Sequence, residues 1–250
     1  MKRILLMVLR NIIFVPYWFC QLLWYAAHTD SIPEEKKLAL LKKIVVHANA
    51  GGNVTVKAYG TEHIPRDGSF MFYPNHQGLY DVLAIIDTCP RLFSVVMKKE
   101  LKDIFFLKQV FQIMGAYALD REDVRQSMKV IQQVSQDVAA GRNFLIFPEG
   151  TRSRDGNELG EFKGGSFKCA MKAKCPIVPV AIIDSYKAFD TGSTENVNVQ
   201  VHYLEPITYD EYKMLKTTEV AEIVKEKIKN TIVGCMKMKN IVFLKKYIIR

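Results

Sequence analysis

Two short segments hold residue types that do chemistry together. Asn75-His76-Gln77-Gly78-Leu79-Tyr80-Asp81 sets a carboxylate five residues after a histidine. Phe147-Pro148-Glu149-Gly150-Thr151-Arg152-Ser153 offers a glycine turn, a carboxylate and an arginine. Near neutral pH an imidazole both takes and returns a proton, so His76 reads as a general base toward a hydroxyl. Asp81 would bond the far ring nitrogen, fix the tautomer and stabilise the imidazolium, as the acid does in hydrolase triads. Arg152 grips a phosphate with two parallel hydrogen bonds, which lysine does not. A proton acceptor for an alcohol and a clamp for a phosphate point to a phosphorylated alcohol as substrate.

The two segments differ in weight. Among 5 histidines in 250 residues, a His-x4-Asp spacing arises easily by chance. The other four histidines are followed at that distance by Pro33, Gly52, Gly68 and Ile207. The plainer role for the first segment is a packed histidine beside a helix-capping Asn75. The second segment is more specific. A hydrophobic run from Asn143 to Phe147 enters Pro148-Glu149-Gly150, a buried strand broken by proline and opened by glycine. Such a strand delivers its loop to a sheet edge, where α/β folds put their ligands. The plainer role for Glu149 and Arg152 is a surface ion pair.

At these residues the chain resembles the glycerolipid acyltransferase family, and within it the 1-acylglycerol-3-phosphate O-acyltransferases. Four blocks fall in the family's order: Asn75 to Asp81; Gly115-Ala116-Tyr117-Ala118-Leu119-Asp120-Arg121; Phe147 to Arg154 followed by Phe162-Lys163-Gly164-Gly165; and Val178-Pro179-Val180-Ala181. Lys98-Lys99-Glu100-Leu101 resembles the family's lysine-containing element. The likeness covers roughly residues 50 to 185. Two departures stand out: Gly78 occupies a position where many members carry Ser or Thr, which implies a looser turn, and the second block is poor in aromatics. The resemblance implies acyl transfer from acyl-CoA or acyl carrier protein, as co-substrate and without a further cofactor, to the 2-hydroxyl of 1-acylglycerol 3-phosphate. It implies His76 and Asp81 as the catalytic pair. Arg152 would hold the phosphate, with Glu149 orienting that arginine or the glycerol, Gly150 and Thr151 donating from the same loop, Arg121 adding a second positive group and Lys98 helping the oxyanion. The same chemistry on glycerol 3-phosphate or another lysolipid is the nearest alternative. A membrane-attached basic binding protein is the remote one, and it gives no reason for these four blocks.

Composition narrows the rest. The net charge is +9, which suits anionic lipid headgroups, CoA phosphates or nucleic acid. No basic strip with interleaved aromatics offers bases a stacking platform, so nucleic acid is not an expected partner. The five cysteines lack metal-type spacing and read as reduced, cytosolic thiols. No zinc cluster and no Walker-type loop appears. Gly164-Gly165-Ser166-Phe167-Lys168 lacks the closing glycine of a nucleophile elbow.

Elements that position these segments follow from the patterning. Ile4 to Ala27 is apolar and aromatic but interrupted by Arg10, Asn11 and Pro16. A span needs about 20 mostly apolar residues, and no signal-peptidase site follows. The expectation is a membrane-embedded helix that dips into one leaflet at the cytoplasmic face, with a simple span as the alternative. A second helix from Pro33 to about Ala48, with Leu38, Leu41 and Val45 on one face, completes a two-helix membrane anchor over residues 1–50. Alternating strands and helices then give an α/β fold with a mixed, largely parallel sheet flanked by helices over 51–235. Among these, Phe70 to Tyr73 is the strand that delivers His76, Tyr80 to Thr88 the helix that follows, and Ile177 to Ile183 a buried strand. The basic tail, 236–250, ends an amphipathic stretch from Glu219. That stretch reads as a terminal helix packed on the domain, with a membrane-surface helix as the alternative.

Overall fold

The structure, a computed structural model, describes residues 2–102, 104, 106–120 and 123–248, with backbone alone at 124 and from 239 onward. In chain order the elements are α1 (Lys2–Arg10), α2 (Val15–Ala27), α3 (Glu34–Gly51), β1 (Val54–Tyr59), β2 (Met71–Pro74), α4 (Asp81–Thr88), β3 (Ser94–Lys98), α5 (Leu107–Met114), β4 (Tyr117–Leu119) and α6 (Val124–Ala139). They continue as β5 (Phe144–Leu145), α7 (Lys168–Ala173), β6 (Ile177–Ile183), α8 (Tyr186–Phe189), β7 (Val197–Tyr203), α9 (Tyr209–Tyr212) and α10 (Thr217–Ile248).

The strands form one seven-stranded sheet in the order β1-β7-β6-β2-β5-β3-β4. Every pairing is parallel except β6 with β7. This is the mixed, largely parallel α/β sheet read from the sequence. Strand alternation sorts the core into two layers. Phe70, Phe72, Val178, Val180 and Ile182 face α3, α4 and α5. Met71, Tyr73, Ile177, Ala181 and Ile183 face α6, α7 and α10. Each such side chain contributes about 1.5–3 kcal/mol by leaving water. The chain leaves β2 through α4 on one face and leaves β5 through α7 on the other. The carboxyl ends of β2 and β5 therefore flank a topological switch point, the crevice where open α/β sheets bind ligands.

The N-terminus is two helices where one was expected. Its apolar stretch breaks at Asn11 into α1 and α2, bent by 98° to each other, and no single helix is long and apolar enough to cross a membrane. The cause is polar. Asn11 is buried and donates to the Met7 carbonyl (2.8 Å) and to that of His47 (3.2 Å), while Arg10 reaches the Gly51 carbonyl (3.2 Å). These groups hold α1 against the end of α3 instead of letting it extend. Helix α3 packs Leu40, Leu41, Ile44 and Val45 on the domain. At the other end, α10 buries Val220, Val224, Ile228 and Ile232 as a terminal helix packed on the domain. Its backbone continues through residue 236 without a break.

Candidate active site

Strand β2 carries the histidine. Its last residue, Pro74, has no amide to continue a ladder. Asn75 then takes the backbone's place: its Oδ1 accepts the Ile182 amide (2.7 Å) and its Nδ2 donates to the Ile182 carbonyl (2.9 Å). Fastened to β6 by a side chain, the chain is free to turn at His76. Asn75 is therefore not a helix cap; Tyr80 occupies that position before α4.

Asp81 opens α4 and is wholly buried. Its Oδ2 accepts from His76 Nδ1 at 2.7 Å, the Gln77 amide at 2.7 Å and the Gly78 amide at 3.0 Å. Its Oδ1 accepts the Ser185 hydroxyl. A buried carboxylate requires such partners, and both oxygens have them. Because a carboxylate only accepts, Nδ1 carries the proton of the neutral imidazole, and that tautomer leaves the lone pair on Nε2. No described residue bonds Nε2, and the side chain is 17% exposed. Phe147 stacks on the imidazole at 3.9 Å between centroids and sets its plane. A side chain at Gly78 would meet Asp190, whose Oδ2 would lie 2.6 Å from the added Cβ. The turn is thus closed on both sides, not loosened by its glycine.

The second segment lies against the first. Gly150, at φ +70°, closes a turn by donating its amide to the Phe147 carbonyl (3.1 Å), a conformation that costs glycine nothing. Glu149 is 4% exposed, and its Oε1 accepts the His76 amide (2.8 Å) while Oε2 accepts that of Gly160 (2.9 Å). Burial pushes its carboxyl up; the two amide donors hold it back. Glu149 therefore fastens the histidine turn, and it does not orient Arg152 as expected. The nearest acid to Arg152 is Asp190, with Oδ1 at 3.7 Å from Nη1, and Arg152 is 48% exposed. The Ser153 amide, one residue on, donates to the His76 carbonyl at 2.8 Å. Imidazole and guanidinium thus share one sheet edge. Thr151 is exposed beside them.

The remaining expected residues divide. Lys98 ends β3 at the same sheet edge, since β3 and β5 run parallel to β2, but its ammonium sits on Glu100 at 2.5 Å. No contact among the described residues joins it to His76. Arg121 lies outside the described residues. Sequence reading passed over Gln77, Asn157, Ser185 and Asp190. Gln77 accepts the Ser185 amide (2.8 Å) and donates to Asn157 (2.7 Å), which in turn donates to Asp184 (2.9 Å). The signal for Ser185 and Asp190 was the strand ahead of them. A strand parallel to β2 must deliver its next residues to the edge that holds His76. Among the described residues, no group of three or more His, Cys, Asp or Glu side chains converges to hold a metal.

Comparison with known proteins bears on the same stretch. A probable 1-acyl-sn-glycerol-3-phosphate acyltransferase of Mycoplasma pneumoniae is 27% identical over 82% of this chain and 83% of its own. The 1-acyl-sn-glycerol-3-phosphate acyltransferase alpha of Mus musculus is 26% identical over 69% of this chain. The chain spans 62% of the mouse protein's length and 40% of that of a chloroplastic relative from Brassica napus. The crystal structure of a 1-acyl-sn-glycerophosphate acyltransferase from Thermotoga maritima has the same fold, with a TM-score of 0.75 and 22% identity over 94% of this chain and 97% of its own. The acyltransferase family model matches residues 55–183, from β1 through β6 and across both segments of the site. The chain belongs to the acyltransferase family.

Proposed function

We propose that the chain transfers an acyl group from acyl-CoA or acyl carrier protein to the 2-hydroxyl of 1-acylglycerol 3-phosphate, giving phosphatidic acid. One observation carries this reading: an imidazole bound to Asp81 through Nδ1, with Nε2 unbonded, at the edge that also bears Arg152. The acceptor's phosphate docks on Arg152, with Thr151 and the Gly150 turn beside it. His76 Nε2 takes the proton of the 2-hydroxyl as its oxygen attacks the thioester carbonyl carbon. Asp81 stabilises the imidazolium. As the tetrahedral intermediate collapses, the carbon–sulfur bond breaks, and the proton on Nε2 passes to the departing thiolate. Loop amides stabilise the oxyanion, each such donor contributing about 2.7–4 kcal/mol; Lys98 joins them once it leaves Glu100, and Arg121 adds positive charge. No enzyme nucleophile is needed, because the substrate's hydroxyl attacks.

The names of the relatives support the acceptor. The N-terminus supports a membrane setting. Leu5, Leu9, Ile12, Ile13, Phe14, Tyr17 and Trp24 are exposed on α1, α2 and their bend, a surface that fits the headgroup level of a bilayer at the cytoplasmic face. The test is thiol release from acyl-CoA and from acyl carrier protein by the purified chain on lipid vesicles. Lysophosphatidate, glycerol 3-phosphate, a neutral lysolipid and no acceptor form the panel. Release with lysophosphatidate above the others is the expected result. Release confined to another acceptor would move the reading to that acceptor, and no release with any would remove it.

A further inference from the structure

Arg3 is a polar anomaly. It lies in the first turn of an apolar helix, yet it is 1% exposed. A buried guanidinium is costly unless its donors are met. Among the described residues no carboxylate meets them. Four carbonyls do: Nε donates to Ala188 (2.8 Å), Nη2 to Ser193 (2.9 Å), and Nη1 to Gly52 and Asn53. The Gly52 carbonyl lies at the C-terminal end of α3, where the helix dipole favours a cation. The Ala188 and Ser193 carbonyls belong to the segment from 184 to 193.

That segment touches the site at both ends. Its start, Ser185, holds Asp81 Oδ1, and its amide rests on Gln77. Its far part, Asp190, pairs with Arg152 and abuts Gly78. Between them, Phe189 of α8 packs edge-on against Tyr80, the neighbour of Asp81. The opposite side of α1 presents Ile4, Leu5, Val8 and Leu9 to the surroundings.

We propose that Arg3 is a positioning residue of the site. It braces α8 from behind, so that Ser185 keeps the acid of the His76 pair in place and Asp190 keeps Arg152 near it. The inference rests on the roles proposed above for His76, Asp81 and Arg152. It makes one helix both a membrane contact and a strut of the site, so the site is complete only while α1 is docked.

The test compares Arg3→Gln and Arg3→Lys in the full chain with the parent. Lysine keeps the charge and the stem but not the fork that reaches carbonyls in three directions. Hydrogen exchange by mass spectrometry should rise in the peptide spanning 184–193 and stay level in β2 and β6. The His76 Nδ1 proton resonance should broaden. Turnover should fall on the order of tenfold to 10²-fold, the scale of a misplacement of about 1 Å. The KM for lysophosphatidate should rise with it, and Arg3→Lys should lie between. Sedimentation with vesicles of mixed neutral and anionic phospholipid should not change, because the exposed face of α1 is intact. Unchanged exchange at 184–193, or unchanged turnover, overturns the proposal. If Arg3→Gln does not fold, Arg3→Lys decides on the same two readouts. If the parent chain does not acylate lysophosphatidate, the proposed function fails while the exchange result still judges the brace.

Discussion

The histidine turn and the arginine loop face one another but are built on opposite principles. Around His76 the hydrogen bonds at the turn are already made. Both Asp81 oxygens are occupied, Phe147 fixes the ring plane, and Glu149 takes the His76 amide. Around Arg152 little is made. A half-exposed guanidinium stands 3.7 Å from a half-exposed carboxylate, and such pairs contribute about 0–1 kcal/mol. The contrast fits a division of labour. A group that moves a proton gains from being held rigid before substrate arrives. A group that must capture a phosphate loses if it is already committed to a strong partner.

The comparison breaks most visibly at the rigid end. His76→Ala should lower kcat by about 10²–10⁴-fold, the usual contribution of a positioned base. Its stability cost should stay modest: the ring's loss removes one aromatic stack, about 0.5–1.5 kcal/mol, and one of three hydrogen bonds to Asp81 Oδ2, which keeps the Gln77 and Gly78 amides. Asp81→Asn should damage both properties. An amide that keeps its oxygen on the Gln77 and Gly78 amides and donates its nitrogen to the Ser185 oxygen holds the turn only by weaker, neutral hydrogen bonds. The reverse orientation sets its nitrogen against those two amides and leaves buried donors unpaired at about 1–3 kcal/mol each. Steady-state turnover beside denaturant unfolding separates the two. A fully stable, fully active Asp81→Asn would mean that the turn is not preorganised by this carboxylate.

At the looser end the effect is smaller and of another kind. Arg152→Ala should raise KM for a phosphorylated acceptor by about tenfold to 10²-fold, the loss of a charge-assisted pair worth roughly 1.5–3 kcal/mol. Melting should change little, because the half-exposed pair with Asp190 contributes about 0–1 kcal/mol. Arg152→Lys should recover charge without the two-pronged geometry and restore only part of the affinity. A neutral lysolipid assayed in parallel should show no such rise. Equal losses on charged and neutral acceptors would show that Arg152 shapes the site without binding phosphate.

Both ends were legible in sequence, for different reasons. The histidine-to-aspartate contact is local, and the spacing, too common on its own, pointed to it once the other blocks of the resemblance stood beside it. The apolar run that stops at Pro148 announced its own loop. The unread parts are contacts between segments far apart in the chain. Ser185 meets Asp81 only because β6 lies beside β2, and strand order does not follow from a run of Ile and Val. The carboxylate of Glu149 misled for a related reason: an acid next to an arginine invites an ion pair, but burial and two waiting amides turned it inward. The N-terminal bend was hidden because Asn11 looked like an interruption in a helix. In the fold it is a donor that pins α1 to α3.

Glu149 provides the smallest and sharpest test of where rigidity comes from. Burial raises its carboxyl above the ordinary carboxylate value, so the folded chain holds that proton more tightly than the unfolded chain does. The sign follows from linkage. Between the unfolded value of about 4.3 and the raised folded value, the native state binds more protons, and stability falls as pH rises. Glu149→Gln removes the titration, so its stability should lose that component of the slope just above pH 4.3. At neutral pH the variant should be weaker by about 1 kcal/mol, because an amide serves only one of the His76 and Gly160 amides as acceptor. Unfolding midpoints in denaturant, measured from acid to neutral pH for both chains, read both effects. Parallel curves would show that Glu149 is not the titrating link between the two halves of the site, and the rigidity of the histidine turn would then rest on Asp81 alone.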